Sequence, residues 1–561
     1  MAYDGYKIRC CSFQLFYQLN LKSSFMVRGT SVKRVGLFLL LKLEKTMRIK
    51  HSIINISAGL INQLIITSLS FVSRTVFINT LGIEYLGING LFTNILAMLS
   101  LAEAGIGASI MYSLYKPIAE NDQEKITVLM KFYKNAYLVI ALIVLLLGLI
   151  LMPFLGYFTN NSEVSNVHLI YLIFLINTVA PYLFVYKNSF LNVSQKGYIV
   201  TGIYSVSSVI SVCLKIAILH YTKNYILYLL IDCLITLINS LILVLIVNRK
   251  YPFLKKKPAA SIDQETKTKI VTNIKAIILQ NIGSYLVFGT DNIIISSFVS
   301  VAAVGLYSNY NMIIEICRTF INQVFNNIYH SVGNLVAQES KEKIIKIYNV
   351  YNFLNFWLYS FFSIFLLVMI EPLITVWIGP KFLMSKAILV VLILTFYERG
   401  MRNAITTVKT TSGIFREDKY APLCQAAVNL AVSIILVESI GIVGVFLGTL
   451  VSALAVPFWT TPYFVYKKVF KLPMKQYLLR YLFYLIIGVG TCYITLILCN
   501  IFHNGGLSHL ALKFIVCVII PNLIYTVLFY RTNEFQYLFT VAKSLVNKLF
   551  YRYRPSKIFH Y

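Results

Sequence analysis

The sequence predicts an all-α polytopic membrane protein, and two observations predict it. Hydrophobic residues fill 58% of the 561 positions and charged residues only 13%, more apolar surface than a soluble domain of this size covers. Apolar runs of about twenty residues recur along the whole chain, as in membrane-crossing helices; a barrel would show short alternating segments instead.

The runs predict about fourteen helices. The first, 53–80, is long enough to cross a bilayer and holds Arg74 in its interior. The second, 88–114, follows the turn at Gly82 and carries Glu103 among small residues in LAEAGIGASIMY. Runs at 130–153 and 167–190 flank the polar loop GYFTNNSEVSNV. Those at 198–220 and 225–247 form a hairpin about Tyr221, with Lys215 and Asp232 deep inside and able to pair across it. The stretch NRKYPFLKKKPAASIDQETKTK, from Asn248 to Lys269, is Lys-rich, contains Pro252 and Pro258, and reads as a linker.

Beyond it, 272–298 contains Asp291 in LVFGTDNIIISSFV, and 303–330 carries Glu315 and Arg318 in NMIIEICRTFINQ. Next come 350–370 and 386–410, the latter ending in Glu398, Arg399, Arg402 and Lys409. Runs 422–438 and 442–466 turn at Gly441; Gly444 and Gly448 give a GxxxG spacing suited to helix packing. The last two runs are 477–500 and 510–530.

Net charge is +29, from 50 basic and 21 acidic residues. The basic residues concentrate in alternate loops, around Lys116 and Lys125, Lys187 and Lys196, Arg249 to Lys257, Lys341 to Lys346, Arg416 and Lys419, and Lys467 to Lys475. The intervening loops, such as FVSVAAVG and NIFHNGGLSH, are nearly free of cations. This is the positive-inside pattern, with attraction to anionic lipid rather than nucleic acid. It puts the basic loops and both termini in the cytoplasm, and the tail residues Lys543, Lys548, Arg552, Arg554 and Lys557 agree.

An internal repeat divides the chain. SRTVFINTLGIEYLGINGLFTNIL from Ser73 is echoed by TDNIIISSFVSVAAVGLYSNYNMI from Thr290, with Arg74 and Asp291 at the same place and Gly87 and Gly305 matched within one residue. The expected organisation is an extension foreign to the rest at 1–46 with Met47 as the start, a six-helix half at 47–248, a cytoplasmic linker at 249–270, and a second half at 271–470. Two further helices at 471–531 and a basic cytoplasmic tail at 532–561 complete it. Six spans per half relate the halves by an axis along the membrane normal, with substrate sites between them.

The ionic groups inside the spans carry the functional expectation. A cation at the depth of Arg74 costs about 2.5–3.5 kcal/mol on insertion scales and persists only facing protein, water or an anion. Its guanidinium stays charged and forks onto phosphate oxygens. Asp291 either balances Arg74 as a fixed pair or binds a coupling proton or sodium ion. Glu315 and Arg318, at i and i+3, share one helix face and pair there. Arg399, Arg402 and Lys409 form a basic stripe that draws in an anionic headgroup or snorkels to the interface. Glu103 is a candidate gating contact. The nine cysteines show no CxxC or metal-ligand spacing. No P-loop, GxSxG or HExxH motif occurs, and no segment is long enough for a nucleotide-binding domain. No catalytic residue, metal site or bound cofactor is expected.

The chain resembles the polysaccharide (Wzx-type) flippases of the multidrug/oligosaccharidyl-lipid/polysaccharide exporter superfamily. The resemblance runs from about Met47 to about Arg531. It rests on VSRTVFINTLGIEYLGINGLFTNILAMLSLAEAGIGASIMYSLYKPIAE and GTDNIIISSFVSVAAVGLYSNY. It implies a MATE/MurJ-like fold of two pseudo-symmetric six-helix bundles plus two C-terminal helices, in the bacterial cytoplasmic membrane. It also implies a non-enzymatic role: moving undecaprenyl-diphosphate-linked oligosaccharide to the outer leaflet by alternating access, for capsule, exopolysaccharide or O-antigen assembly. Related lipid II flippases carry a first-span arginine at a comparable place, which Arg74 matches. Arg74, Arg318, Arg399 and Arg402 are then the substrate contacts, and Asp291, Glu103 and Glu315 the coupling or gating groups. The implied partners are lipid-linked oligosaccharide, membrane lipids, a polysaccharide polymerase and a chain-length regulator, with H+ or Na+ as coupling ion. The rival readings are a cation-coupled multidrug antiporter of the same superfamily and a non-transporting scaffold.

Overall fold

The computed structural model describes residues 65–550 apart from 104–105, 160–161, 163, 195, 256–261, 265–266, 269, 271–284, 288, 339, 415–416 and 502–506. The chain divides into Met1–Ser68 and Leu69–Tyr561. The expectations for 1–46, for the starts of the first and seventh spans, for Lys256, Lys257 and Arg416, and for Arg552, Arg554 and Lys557 lie outside the described residues.

Among the described residues the regular structure is helical, without strands. Eight helices are long and apolar enough to cross a membrane, or up to ten if each bent pair counts as one span. The protein is a multi-pass membrane protein. Its long helices leave large apolar side chains uncovered, such as Leu142 and Leu146, Ile210 and Leu214, and Ile486 and Val489, as a lipid-facing surface requires.

Helix α1 (Ile65–Leu81) meets α2 (Ile83–Leu99) at a bend of 119°. Gly82 makes this turn with φ +89°, a conformation that favours glycine. There follow α3 (Ile106–Ala119), α4 (Gln123–Phe158), α5 (Val167–Leu183), α6 (Val185–Val193), α7 (Gly197–Thr222) and α8 (Tyr225–Lys250). After the linker, α9 (289–298) leads into α10 (Val301–Gln338) and α11 (Lys341–Trp377). Next are α12 (Lys386–Met401), α13 (Asn403–Thr411), α14 (Ala421–Ile440), α15 (Ile442–Ala455) and α16 (Pro457–Val465). The chain closes with α17 (Lys475–Asn500), α18 (Leu507–Phe529) and α19 (Asn533–Phe550).

Several runs read as single spans are broken. The 88–114 run splits at a 3-10 turn, Ser100–Glu103. The 167–190 run breaks after the 3-10 turn Ala180–Leu183, where Pro181 supplies no N–H to the helical ladder. The 386–410 run breaks at Arg402; there Asn355 on α11 donates to the carbonyls of Gly400 and Met401 at 2.8 and 3.3 Å. The 442–466 run breaks before Pro457. The stretch read as a tail begins with α19, whose Phe535 stacks on Trp357 of α11. Helices α17 and α18 are pinned to α11 by Phe356 stacked on Tyr484 at 4.4 Å and by Trp357 Nε1 donating to Asn522 Oδ1 at 2.7 Å.

The elements repeat at a constant spacing. Ile83 and Val301 open α2 and α10, Gln123 and Lys341 open α4 and α11, and both pairs are 218 residues apart. Helices α2 and α10 lie against each other in a reciprocal contact. A Cβ on Gly87 would sit 2.0 Å from the carbonyl oxygen of Val301, and one on Gly305 would sit 2.3 Å from that of Ile83. Residue i touching j while j's counterpart touches i's is the mark of a two-fold relation. The contact also fixes the register of the repeat: Arg74 corresponds to Asn292, one residue past the Asp291 that the sequence alignment set opposite it.

Candidate functional site

A cavity of about 340 Å³ opens between α9, α10, α12 and α15, lined by Asp291, Glu315, Arg318, Arg399 and Thr449 among others. Four of the seven candidate residues thus meet in one place. Glu315 and Arg318 form the ion pair their spacing predicts, and the Arg318 guanidinium lies 6.0 Å from the Phe396 ring centre. Arg399 keeps much of its surface open. Asp291 is 6% exposed; both its oxygens lie 3.2 Å from Thr449 Oγ1. Behind Thr449, Asn429 Nδ2 donates to its hydroxyl at 3.0 Å and Ser433 Oγ donates to the Val445 carbonyl at 3.1 Å. The Asn429 Oδ1 is buried without a partner among the described residues.

Arg74 does not pair with Asp291. Its Nη1 donates to Ser308 Oγ at 2.7 Å and to Asn309 Oδ1 at 3.2 Å on α10. Its helix is held beside α11 by Trp377 Nε1, which donates to Thr75 Oγ1 at 2.6 Å. Arg402, expected as a substrate contact, turns away into a buried pair with Glu398, at 2.5 and 2.9 Å; the i, i+4 spacing places the two on one helix face. Lys409 is likewise paired, with Asp418, so the basic stripe is neutralised at two of its three positions. Glu103 accepts from the Tyr137 hydroxyl at 2.5 Å, which ties the α2–α3 break to α4.

Lys215 and Asp232 pair as expected, at 2.5 Å, and they border a second cavity of about 440 Å³. The sequence reading missed this cavity and also missed Tyr307, Asn311 and Thr449 in the first one. They are uncharged polar residues within apolar runs, and only their recurrence on facing helices marks them.

Membrane-crossing helices thus pack about two cavities that carry charged side chains. Residues 51–332, just over half of the chain, match the family described as polysaccharide biosynthesis protein, and the chain belongs to that family. No curated protein matches it. Its fold is similar to that of the lipid II flippase MurJ in an inward closed conformation, at 13% identity and TM-score 0.59, covering 84% of this chain and 98% of that one. It is also similar to the MATE multidrug transporter DinF-BH, at 16% identity and TM-score 0.51, covering 73% of this chain and 94% of that one. A mutant of the Vibrio cholerae MATE transporter VcmN gives 16% identity and TM-score 0.50, with 73% and 94% covered. The expected MATE/MurJ-like fold is therefore the fold observed.

Proposed function

We propose that this protein is a flippase moving undecaprenyl-diphosphate-linked oligosaccharide repeat units from the inner to the outer leaflet of the bacterial cytoplasmic membrane. The carrying observation is the cavity in which Arg318 and Arg399 face Asp291 and Glu315 within a membrane-embedded bundle. A diphosphate bears about two negative charges, and hydrocarbon does not accept it unaided. Guanidinium groups on the cavity wall take over part of its hydration, while the lipid tail stays in the bilayer. The two repeats rock about the α2–α10 contact and expose the headgroup to one side, then the other.

Asp291 is the coupling carboxylate in this reading. With Thr449, Asn429 and Ser433 it offers an oxygen-rich pocket beside the arginines, suited to H+ or Na+. Release of that ion alters the charge the arginines face and so their hold on the diphosphate. The basic loops face the cytoplasm, where glycosyltransferases supply the lipid-linked unit, and a polysaccharide polymerase with its chain-length regulator takes it up after translocation.

The test is the leaflet distribution of lipid-linked oligosaccharide in cells depleted of the protein and given back wild type, Arg318→Ala or Asp291→Asn. Accumulation on the cytoplasmic side, relieved by wild type and by neither variant, is the expected result. Normal surface polysaccharide with altered sensitivity to cationic drugs would replace this reading with a multidrug antiporter. Full rescue by both variants would leave a scaffold.

A further inference from the structure

The spacing that relates α2 to α10 also relates the two cavities. On α2 and the turn that follows it, Asn89, Thr93 and Ser100 of the Lys215 cavity correspond to Tyr307, Asn311 and Arg318 of the other. Asn177 corresponds to Thr395, and Tyr228 to Phe446. The cavities are counterparts in position but differ in charge: two carboxylates and two guanidinium groups line one, a single Lys–Asp pair the other. Where one has Glu315, Arg318 and Arg399, the matched positions of the other are Ala97, Ser100 and Pro181.

The Lys215 cavity sets a row of acceptors beside the Lys215–Asp232 pair. Thr93 Oγ1 donates its proton to the Asn89 carbonyl at 2.7 Å, Ser100 Oγ to Leu96 at 2.8 Å, and Thr178 Oγ1 to Phe174 at 2.9 Å. Each hydroxyl thus keeps only lone pairs for the cavity. Asn177 Oδ1 has no partner among the described residues. A phosphate offers only acceptors at neutral pH, and the one cation of this wall, Lys215, is already neutralised by Asp232, so the wall has no net positive charge to hold it. A second cation is opposed by the Lys215 ammonium, which already holds Asp232 and lies 4.9 Å from the Tyr228 ring centre. A ligand rich in hydroxyl and amide donors, with an apolar face for Tyr228 and Phe174, fits.

We propose that the Lys215 cavity is a glycan-binding site, separate from the arginine cavity that takes the diphosphate. The proposal rests on the flippase reading and deepens it. Arg74 bonds Ser308 on α10, the residue after Tyr307 of the arginine cavity. In this proposal one lipid-linked headgroup engages both, its diphosphate in the arginine cavity and its sugars in this one.

The experiment measures binding to the full chain in nanodiscs with two probes: lipid-linked oligosaccharide extracted from the producing cells, and undecaprenyl diphosphate. The Thr93→Val, Asn177→Leu double variant removes two acceptors at nearly constant volume. It is expected to lose about tenfold or more in affinity for the glycosylated lipid, the equivalent of about 1.4 kcal/mol, and to bind undecaprenyl diphosphate as wild type does. That second value also reports that the variant is folded. Arg318→Ala is expected to weaken both probes. Equal loss for both probes in the double variant, or no loss for either, overturns the glycan site and leaves the flippase reading standing. Wild type binding neither lipid overturns both.

Discussion

Arg318 on α10 and Arg399 and Arg402 at the end of α12 have different surroundings, and those surroundings decide what their removal does. Arg318 and Arg399 border open space, whereas Arg402 and Glu398 are 13% and 4% exposed at the side chain and held by two hydrogen bonds. Removing one partner of a buried pair strands the other charge, at a cost of about 3–5 kcal/mol, while replacing both with apolar residues of similar volume is often neutral. Glu398→Ala is therefore expected to lower the unfolding temperature in detergent sharply, and the Glu398→Leu, Arg402→Met double variant to recover most of the loss. A double variant as unstable as the single would show that the pair does more than neutralise itself. Arg74, Asp291 and Arg318 were legible in the sequence because a charge inside an apolar run has few innocent explanations. The i, i+3 spacing also gave Arg318 its partner Glu315, but the partners of Arg74 and Asp291 were not legible: Arg74 bonds Ser308 and Asn309, Asp291 meets Thr449, and hydroxyls and amides are ordinary in any helix.

At the scale of elements, hydropathy placed the helices and missed most of their breaks. At the break at Arg402, Asn355, forty-seven positions earlier in the chain, reaches the carbonyls that the ladder leaves free. No local signal announces such a contact, whereas the Pro181 and Pro457 breaks have one. The contact of α2 with α10 was half legible: the repeated glycines were visible, but their register needed the packing. At Gly87 and Gly305 a Cβ would meet backbone, which cannot rotate aside. Gly87→Val and Gly305→Val are each expected to destabilise the protein by about 1–3 kcal/mol through forced separation of the helices. Since either change opens the same contact, the double variant is expected to cost clearly less than the sum. Additive losses in thermal unfolding would mean that the two glycines pack independently.

At the scale of the whole molecule, the reciprocal contact constrains how the protein moves. Elements 218 residues apart are separated by an even number of crossings in the predicted topology, so matched positions lie at the same depth and in the same orientation. Thr93 and Asn311 are such a pair, one in each cavity. If the repeats rock as two bodies about α2 and α10, the two cavities open to the outside together and close together. The nine natural cysteines are first replaced, and Thr93→Cys and Asn311→Cys are then made singly. Intact cells are treated with a membrane-impermeant maleimide, with and without depletion of the lipid-linked substrate. Rigid-body rocking predicts that labelling at both positions rises or falls in parallel when the substrate is withdrawn, by factors within about two of each other. A local gate over one cavity predicts that one position responds and the other does not. That result would move the mechanism from the interface between the repeats to the α2–α3 break, where Glu103 and Tyr137 meet, since the break has no counterpart in the unbroken α10.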